Sequence, residues 1–374
     1  MRRGPMGEWY LTRYDDVLLV LGDPARFSSS LVGTRLYDEL IRQLRVDPAD
    51  PGRNVLTDPS LLRLDPPDHT RLRKLVSKAF TPRAVERLRP RVEQIVDELL
   101  ERVDTGSVEL IREFAYPLPL TVISELLGVP ASDREPLRRW SSDLVDQGLT
   151  MDDPELLRRS RQANRELDDY LRQLVSERRR TPRDDLVSAL VTAEEGGDQL
   201  TERELIDTCG LLLVAGHETT VNLIGNGMLA LLTHPEELRR LRNDPSLIEC
   251  AVEEMLRYDS PVQAQPRAVT QDLELRGIGL RRHDVVLPMF GAANRDPAVF
   301  PNPDEFDITR ADNRHVAFGQ GIHFCLGAPL ARLEAQIAIP ALLRRFPRVE
   351  LRRTQLRWRA SWFLRGLEEL PLTV

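Results

Sequence analysis

The segment CGLLLVAGHETTVNLIGNGMLALLTH, Cys209 to His234, constrains the fold more than any other part of the chain. It opens behind Thr201-Glu202-Arg203-Glu204, a capping box in which Thr201 takes the Glu204 N–H and Glu204 returns to Thr201. It closes at Pro235. The spacing predicts one helix of about 30 residues, roughly 45 Å long. A helix so apolar on all sides belongs at the centre of a protein. Yet Ala215-Gly216-His217-Glu218-Thr219-Thr220 sets an acid and two hydroxyls in its middle. Burying an unpaired carboxylate is costly. The patch is either satisfied by a neighbouring segment or is a wet notch, where Thr219 bonds a carbonyl one turn back.

Around this helix the chain reads as mainly α. Apolar residues recur at three- and four-residue spacing from Thr70 to Glu254. Pro24, Pro82, Pro182, Pro235 and Pro261 mark element ends. Strands are predicted at Glu8 to Thr12, Pro266 to Leu275, Asp284 to Phe290 and Gln355 to Trp362. Length alone suggests two domains. Yet no linker divides the 374 residues, which read as a mainly α body with small mixed β-sheets. The order of motifs along the chain implies instead a single domain over 1–374. The net charge of −7 argues against a nucleic-acid binder held by phosphate neutralisation. Three cysteines without CxxC spacing suggest no disulfide framework and no zinc site. With neither a signal peptide's apolar core nor a membrane span, a cytoplasmic protein is expected.

The stretch FGQGIHFCLGAPLARLE carries the clearest chemistry. Gly319, Gly321 and Gly327 allow backbone conformations closed to other residues and a close approach to something large or flat. Cys325 then leads into a helix, whose N-terminal amides favour a thiolate. Such a thiolate is a soft ligand suited to iron. A small buried hydrophobe and a Cys325/His323 nucleophile are the other readings. Cys209 and Cys250 lack any such loop and read as core filler.

Phe318, Gly321, His323, Cys325 and Gly327 fill the pattern F-x-x-G-x-[HR]-x-C-x-G. In this the chain resembles the cytochrome P450 family, the haem-thiolate monooxygenases. AGHETT (Ala215 to Thr220) is similar to the family's oxygen-activating helix, and Glu254 to Arg257 to its E-x-x-R helix. Asp65 to Pro82 resembles the helix flanking the haem, and Ala292 to Arg310 the meander before the cysteine loop. The resemblance covers nearly the whole chain. It implies the cytochrome P450 fold, with haem b between the long central helix and the helix after Cys325. It also implies a chain short at its N-terminus compared with other members.

By that resemblance, Cys325 is the axial iron ligand, and His69, Arg73, Arg267 and His323 hold the haem propionates. Leu72, Leu75, Val76, Ala79 and Phe80 then pack inward. Glu254 and Arg257 form a buried structural pair, with a third partner near Arg310 or His315. Glu218 and Thr219 are the acid–alcohol pair that moves protons toward dioxygen. His283 departs from the glycine common in its turn, so the strand connection is expected to differ there. Leu213, Val214, Val262 and Phe363, with residues 31–61 and 149–161, are implied to line a mostly apolar pocket for a small organic substrate, often in secondary metabolism. Electrons are expected from a separate ferredoxin and its reductase, docking on a patch that includes Arg71, Lys74 and Lys78. A monomer without membrane or nucleic-acid partners is expected. The same fold also serves oxidative coupling, desaturation, peroxide-driven reactions and non-turnover haem proteins.

Overall fold

The structure, a computed structural model, describes residues 1–43, 60–78, 80–103, 106–147, 153–195, 197–353 and 355–374. Ala79, most of the 31–61 segment and residues 149–152 lie outside the described residues. The helices are α1 (Tyr14–Gly22), α2 (Arg35–Gln43), α3 (Asp68–Ser77), α4 (Pro82–Glu86), α5 (Arg89–Glu101), α6 (Pro117–Leu126) and α7 (Arg134–Gln147). They continue as α8 (Pro154–Arg180), α9 (Leu186–Val191), α10 (Glu202–Thr233), α11 (Pro235–Asn243), α12 (Ile248–Tyr258), α13 (Phe290–Ala293) and α14 (Ala328–Arg345).

Helix α10 is the predicted central helix. Its capping box forms, with Glu204 N–H donating to Thr201 Oγ1 at 3.2 Å and Thr201 N–H to Glu204 Oε2 at 2.8 Å. It packs against α6, α8, α12 and α14, the last being the helix that Cys325 leads into. One hydrophobic core runs through these helices. No described helix is long and apolar enough to cross a membrane.

The strands are β1 (Arg2–Arg3), β2 (Trp9–Leu11), β3 (Phe27–Ser28), β4 (Ser107–Glu109), β5 (Glu194–Glu195) and β6 (Asp198–Gln199). After them come β7 (Arg267–Val269), β8 (Leu273–Leu275), β9 (Ile278–Leu280), β10 (Val285–Pro288), β11 (Glu350–Leu351) and β12 (Pro371–Thr373). One sheet runs β1-β2-β10-β7-β3 and is mixed, because only β2 and β10 pair in parallel. A second runs β11-β12-β4, and β5-β6 and β8-β9 are hairpins. Two strand expectations need correction. Pro266 to Leu275 breaks into β7 and β8, and Gln355 to Trp362 contributes only a bridge between Trp358 and Leu367.

His283 takes φ 71°, the left-handed conformation that glycine adopts without cost. The turn into β10 therefore keeps that backbone with histidine in place. We expect His283→Gly to stabilise the protein by about 1 kcal/mol, read as a rise in the chemical denaturation midpoint. An unchanged midpoint would mean that the His283 ring, lying close to Gly33, offsets the strain.

Candidate active site

The cysteine loop is built by exclusion of side chains. Gly321 has φ 71°, and a Cβ there would meet the Leu21 carbonyl oxygen at 2.5 Å, so α1 can approach the loop only with glycine at this position. The loop closes through Cys325 N–H donating to Phe318 O at 3.0 Å. Cys325 is partly exposed. Burial pushes its thiol up, while the amides of Gly327 and Ala328 and the charges of Arg73 and Arg332 pull it down. A thiol held this way ionises when a metal cation supplies the missing counter-charge.

Beside the loop stand His69, Arg73, Arg267 and His323, brought together from α3, β7 and the turn before Cys325. The His69 and His323 rings lie 4.2 Å apart. Arg73 Nη2 donates to Phe324 O at 2.8 Å, tying α3 to the loop. Ser29 Oγ sits 2.8 Å from His323 Nε2, and Ser29 N–H donates to Asp65 Oδ1 at 2.9 Å. His69 is buried, and neither ring nitrogen has a partner. Burial and neighbouring cations hold these groups down: Arg267 to about 10, His323 to about 3, and His69 below its usual range.

A cation cluster of this kind lacks an anion of matching size. The two propionate carboxylates of haem b meet that need, and Cys325 offers the thiolate its iron takes. The residues fit the group.

Helix α10, which packs against α14, carries the notch. Ala215 is exposed, and Thr219 Oγ1 donates to Ala215 O at 3.1 Å, one turn back. Glu218 is buried and ion-paired through Oε1 with Arg359, while its Oε2 has no hydrogen-bond partner and lies 3.7 Å from His217 Nε2. His217 is fully buried. Its Nδ1 faces Leu213 O at 2.8 Å and so carries the proton, leaving Nε2 to accept from Ser141 Oγ at 3.2 Å. Arg359 has no motif around it, and sequence reasoning missed it.

Of the implied lining residues, Val262 and Phe363 meet through the Val262–Leu364 bridge and Gln263 N–H donating to Phe363 O at 2.7 Å. Val214 is half-buried on α10, and Leu213 turns fully into the core. Of the residues implied for the docking patch, Arg71 is engaged by Asp198 at 3.4 Å and by Glu204, while Lys74 and Lys78 are exposed, Lys78 donating to Glu194 O at 2.6 Å. Cys250 is exposed rather than core, because α12 turns Ala251, Val252 and Met255 inward. Cys209 is buried as expected.

Glu254 and Arg257 are both fully buried and pair at 2.7 Å. Arg310 is the third partner, with Nε 3.1 Å from Glu254 Oε2, whereas His315 pairs with Glu253 at 3.0 Å. Asp307 N–H and Asn313 Nδ2 also donate to Glu254, at 2.9 and 3.1 Å.

A helical body around α10, a cysteine loop that admits only glycine against α1 and a cation cluster beside that loop define a haem-thiolate protein. A sequence profile described as Cytochrome P450 matches residues 138–359. Cytochrome P450 107B1 of Saccharopolyspora erythraea is 50% identical over 368 residues, covering 97% of this chain and 88% of that protein. The polyketide biosynthesis cytochrome P450 PksS of Bacillus subtilis is 45% identical over 370 residues, covering 98% and 89%. Its solved structure superposes with TM-score 0.88 at 44% identity, over 98% of this chain and 90% of that one. The structure of P450BioI in complex with hexadec-9Z-enoic acid ligated acyl carrier protein gives TM-score 0.88 at 40% identity, over 100% and 94%. The chain belongs to the cytochrome P450 family and is a cytochrome P450 monooxygenase, an enzyme class that works with haem b held by an axial cysteine thiolate.

Proposed function

We propose that the enzyme inserts one oxygen atom of O2 into a small, mostly apolar organic substrate by hydroxylation or epoxidation, using electrons from a separate ferredoxin and reductase. The observation that carries this reading is the polar notch of α10, where Thr219 bonds one turn back and Glu218 keeps an unpartnered oxygen, on a helix packed against the one that Cys325 leads into. When bound, the haem supplies oxygen activation. The protein supplies the rest. Cys325 gives the thiolate, and His69, Arg73, Arg267 and His323 anchor the propionates. Thr219 Oγ1 exchanges its Ala215 carbonyl for an ordered water or oxygen, a local hydrogen-bond swap at a weakened turn. Glu218 Oε2, unpartnered and facing the His217–Ser141 pair, takes up and passes on protons, while the ion pair with Arg359 orients the carboxylate.

Val214, Val262 and Phe363 give the pocket its apolar character. PksS is described by its role in polyketide biosynthesis, and we infer a tailoring step of the same kind, on a secondary metabolite, for this chain. The test is substrate screening by spin-state shift, followed by turnover with a surrogate ferredoxin and reductase. A substrate that binds yet incorporates no labelled oxygen from O2 rejects the monooxygenation reading. Thr219→Ala is expected to uncouple the enzyme, so that most NAD(P)H consumed ends as hydrogen peroxide, with product per NAD(P)H down about a hundredfold, the scale of one lost acid–base group. Coupling equal to the unaltered enzyme would remove Thr219 from proton delivery.

A further inference from the structure

Arg63 lies in the turn between Ser60 and α3, outside every motif of the sequence. Its backbone N–H donates to Ser60 O at 2.7 Å, but its side-chain Nε is sealed from solvent with no hydrogen-bond partner. Among the described residues no carboxylate pairs with it. An arginine stays charged in proteins, so Arg63 is a half-buried cation with no balancing carboxylate among the described residues. It stands two residues before Asp65, which accepts the Ser29 N–H beside His323 and so ties this turn to the cluster by the cysteine loop. Consistent with that, its charge helps push the Arg267 guanidinium down to about 10, and burial lowers Arg63 itself to about 10.

We propose that Arg63 is a third arginine of the grip on the haem propionates, alongside Arg73 and Arg267. Charge arithmetic supports this assignment. Leaving the two histidines out of the count, the charged groups at this edge are the three guanidiniums and the Asp65 carboxylate, 3 − 1 = +2. Two propionates bring −2. With Arg63 the edge is neutral, and without it one propionate is left uncompensated. The same balance leaves no spare cation at this edge for a substrate carboxylate. The inference rests on the haem-thiolate reading, which the carbon-monoxide spectrum of the unaltered protein tests on its own.

The experiment compares holoenzyme with its Arg63→Gln and Arg63→Lys variants. Haem transfer to excess apomyoglobin is followed at the Soret band, and the Fe(III)/Fe(II) midpoint potential is measured. Binding of a long-chain fatty acid and of its methyl ester is read by spin-state shift. We expect Arg63→Gln to release haem about tenfold faster or more, the scale of a lost charge-assisted hydrogen bond. Its potential should fall, since losing a nearby cation favours the more positive oxidised iron. Arg63→Lys should restore the potential but only part of the haem retention, because an ammonium lacks the two-pronged fork. Acid-against-ester discrimination should not change. Haem release within twofold of the unaltered protein, in either variant, overturns the proposal. Loss of fatty-acid binding with haem release unchanged overturns it in favour of a substrate-carboxylate site. If Arg63→Gln does not accumulate, Arg63→Lys decides: several-fold faster release with an unchanged potential supports the proposal.

Discussion

Replacing Cys325 by serine abolishes the far-red Soret band that the carbon-monoxide complex of the reduced protein is expected to show, and monooxygenation falls to background with it. The loop is arranged for sulfur. The Gly327 and Ala328 amides point at the Sγ position, and Arg73 and Arg332 add charge. Burial works against the free thiolate, so ligation supplies the driving force for ionisation. A serine hydroxyl in the same place is far too weak an acid to follow, and the electron push of a thiolate toward O–O cleavage is lost. Haem can still enter, since His69, Arg73, Arg267 and His323 are untouched. A reduced carbon-monoxide spectrum in Cys325→Ser that keeps the far-red band would mean that another residue ligates the iron.

Truncating Glu254 or Arg257 to alanine costs about 3–5 kcal/mol of stability, because the surviving partner becomes an uncompensated buried charge. The cost spreads to the haem site. Arg257 donates to Asn294 O at 3.0 Å, Pro303 O at 2.8 Å and Glu305 O at 2.9 Å, while Glu254 collects Asp307 N–H, Arg310 and Asn313. These contacts fasten the meander to α12. Asn294 in turn accepts from Val316 N–H at 2.7 Å, at the entrance to the cysteine loop. Both variants are therefore expected to lose haem on mild denaturation before the helical signal falls. Arg257→Lys should not rescue, since one ammonium cannot serve a carboxylate fork and three carbonyls. The exposed Arg158–Glu155 pair on α8 is the control, and Arg158→Ala there should leave the denaturation midpoint unmoved. Equal behaviour of the buried and exposed variants would remove the structural role.

Much of the site was legible because its residues sit close in the chain. The cysteine loop, the capping box of α10 and the polar notch at Gly216 to Thr220 are local patterns, and each forms where the spacing placed it. The strand expectation at Gln355 to Trp362 failed for the opposite reason. Alternating apolar residues there meet a partner only at Trp358, and a strand needs a neighbour along its length. Cys250 failed likewise, because a one-residue step around α12 decides between core and solvent.

The sequence by itself determined the helical class, the central position of α10, the thiolate loop and the family. These follow from hydrophobic periodicity, capping chemistry and glycines that permit a close approach of backbone. Only the tertiary structure decided the long-range partners. It chose Arg310 over His315 for Glu254, set Arg359 against Glu218 from 141 positions away, and sealed the Arg63 Nε from water without a hydrogen-bond partner. In a chain with 52 basic residues, nothing local distinguishes the few arginines that packing will bury. Their charge acquires meaning only when the fold strips water from them and leaves one anion, or none, within reach.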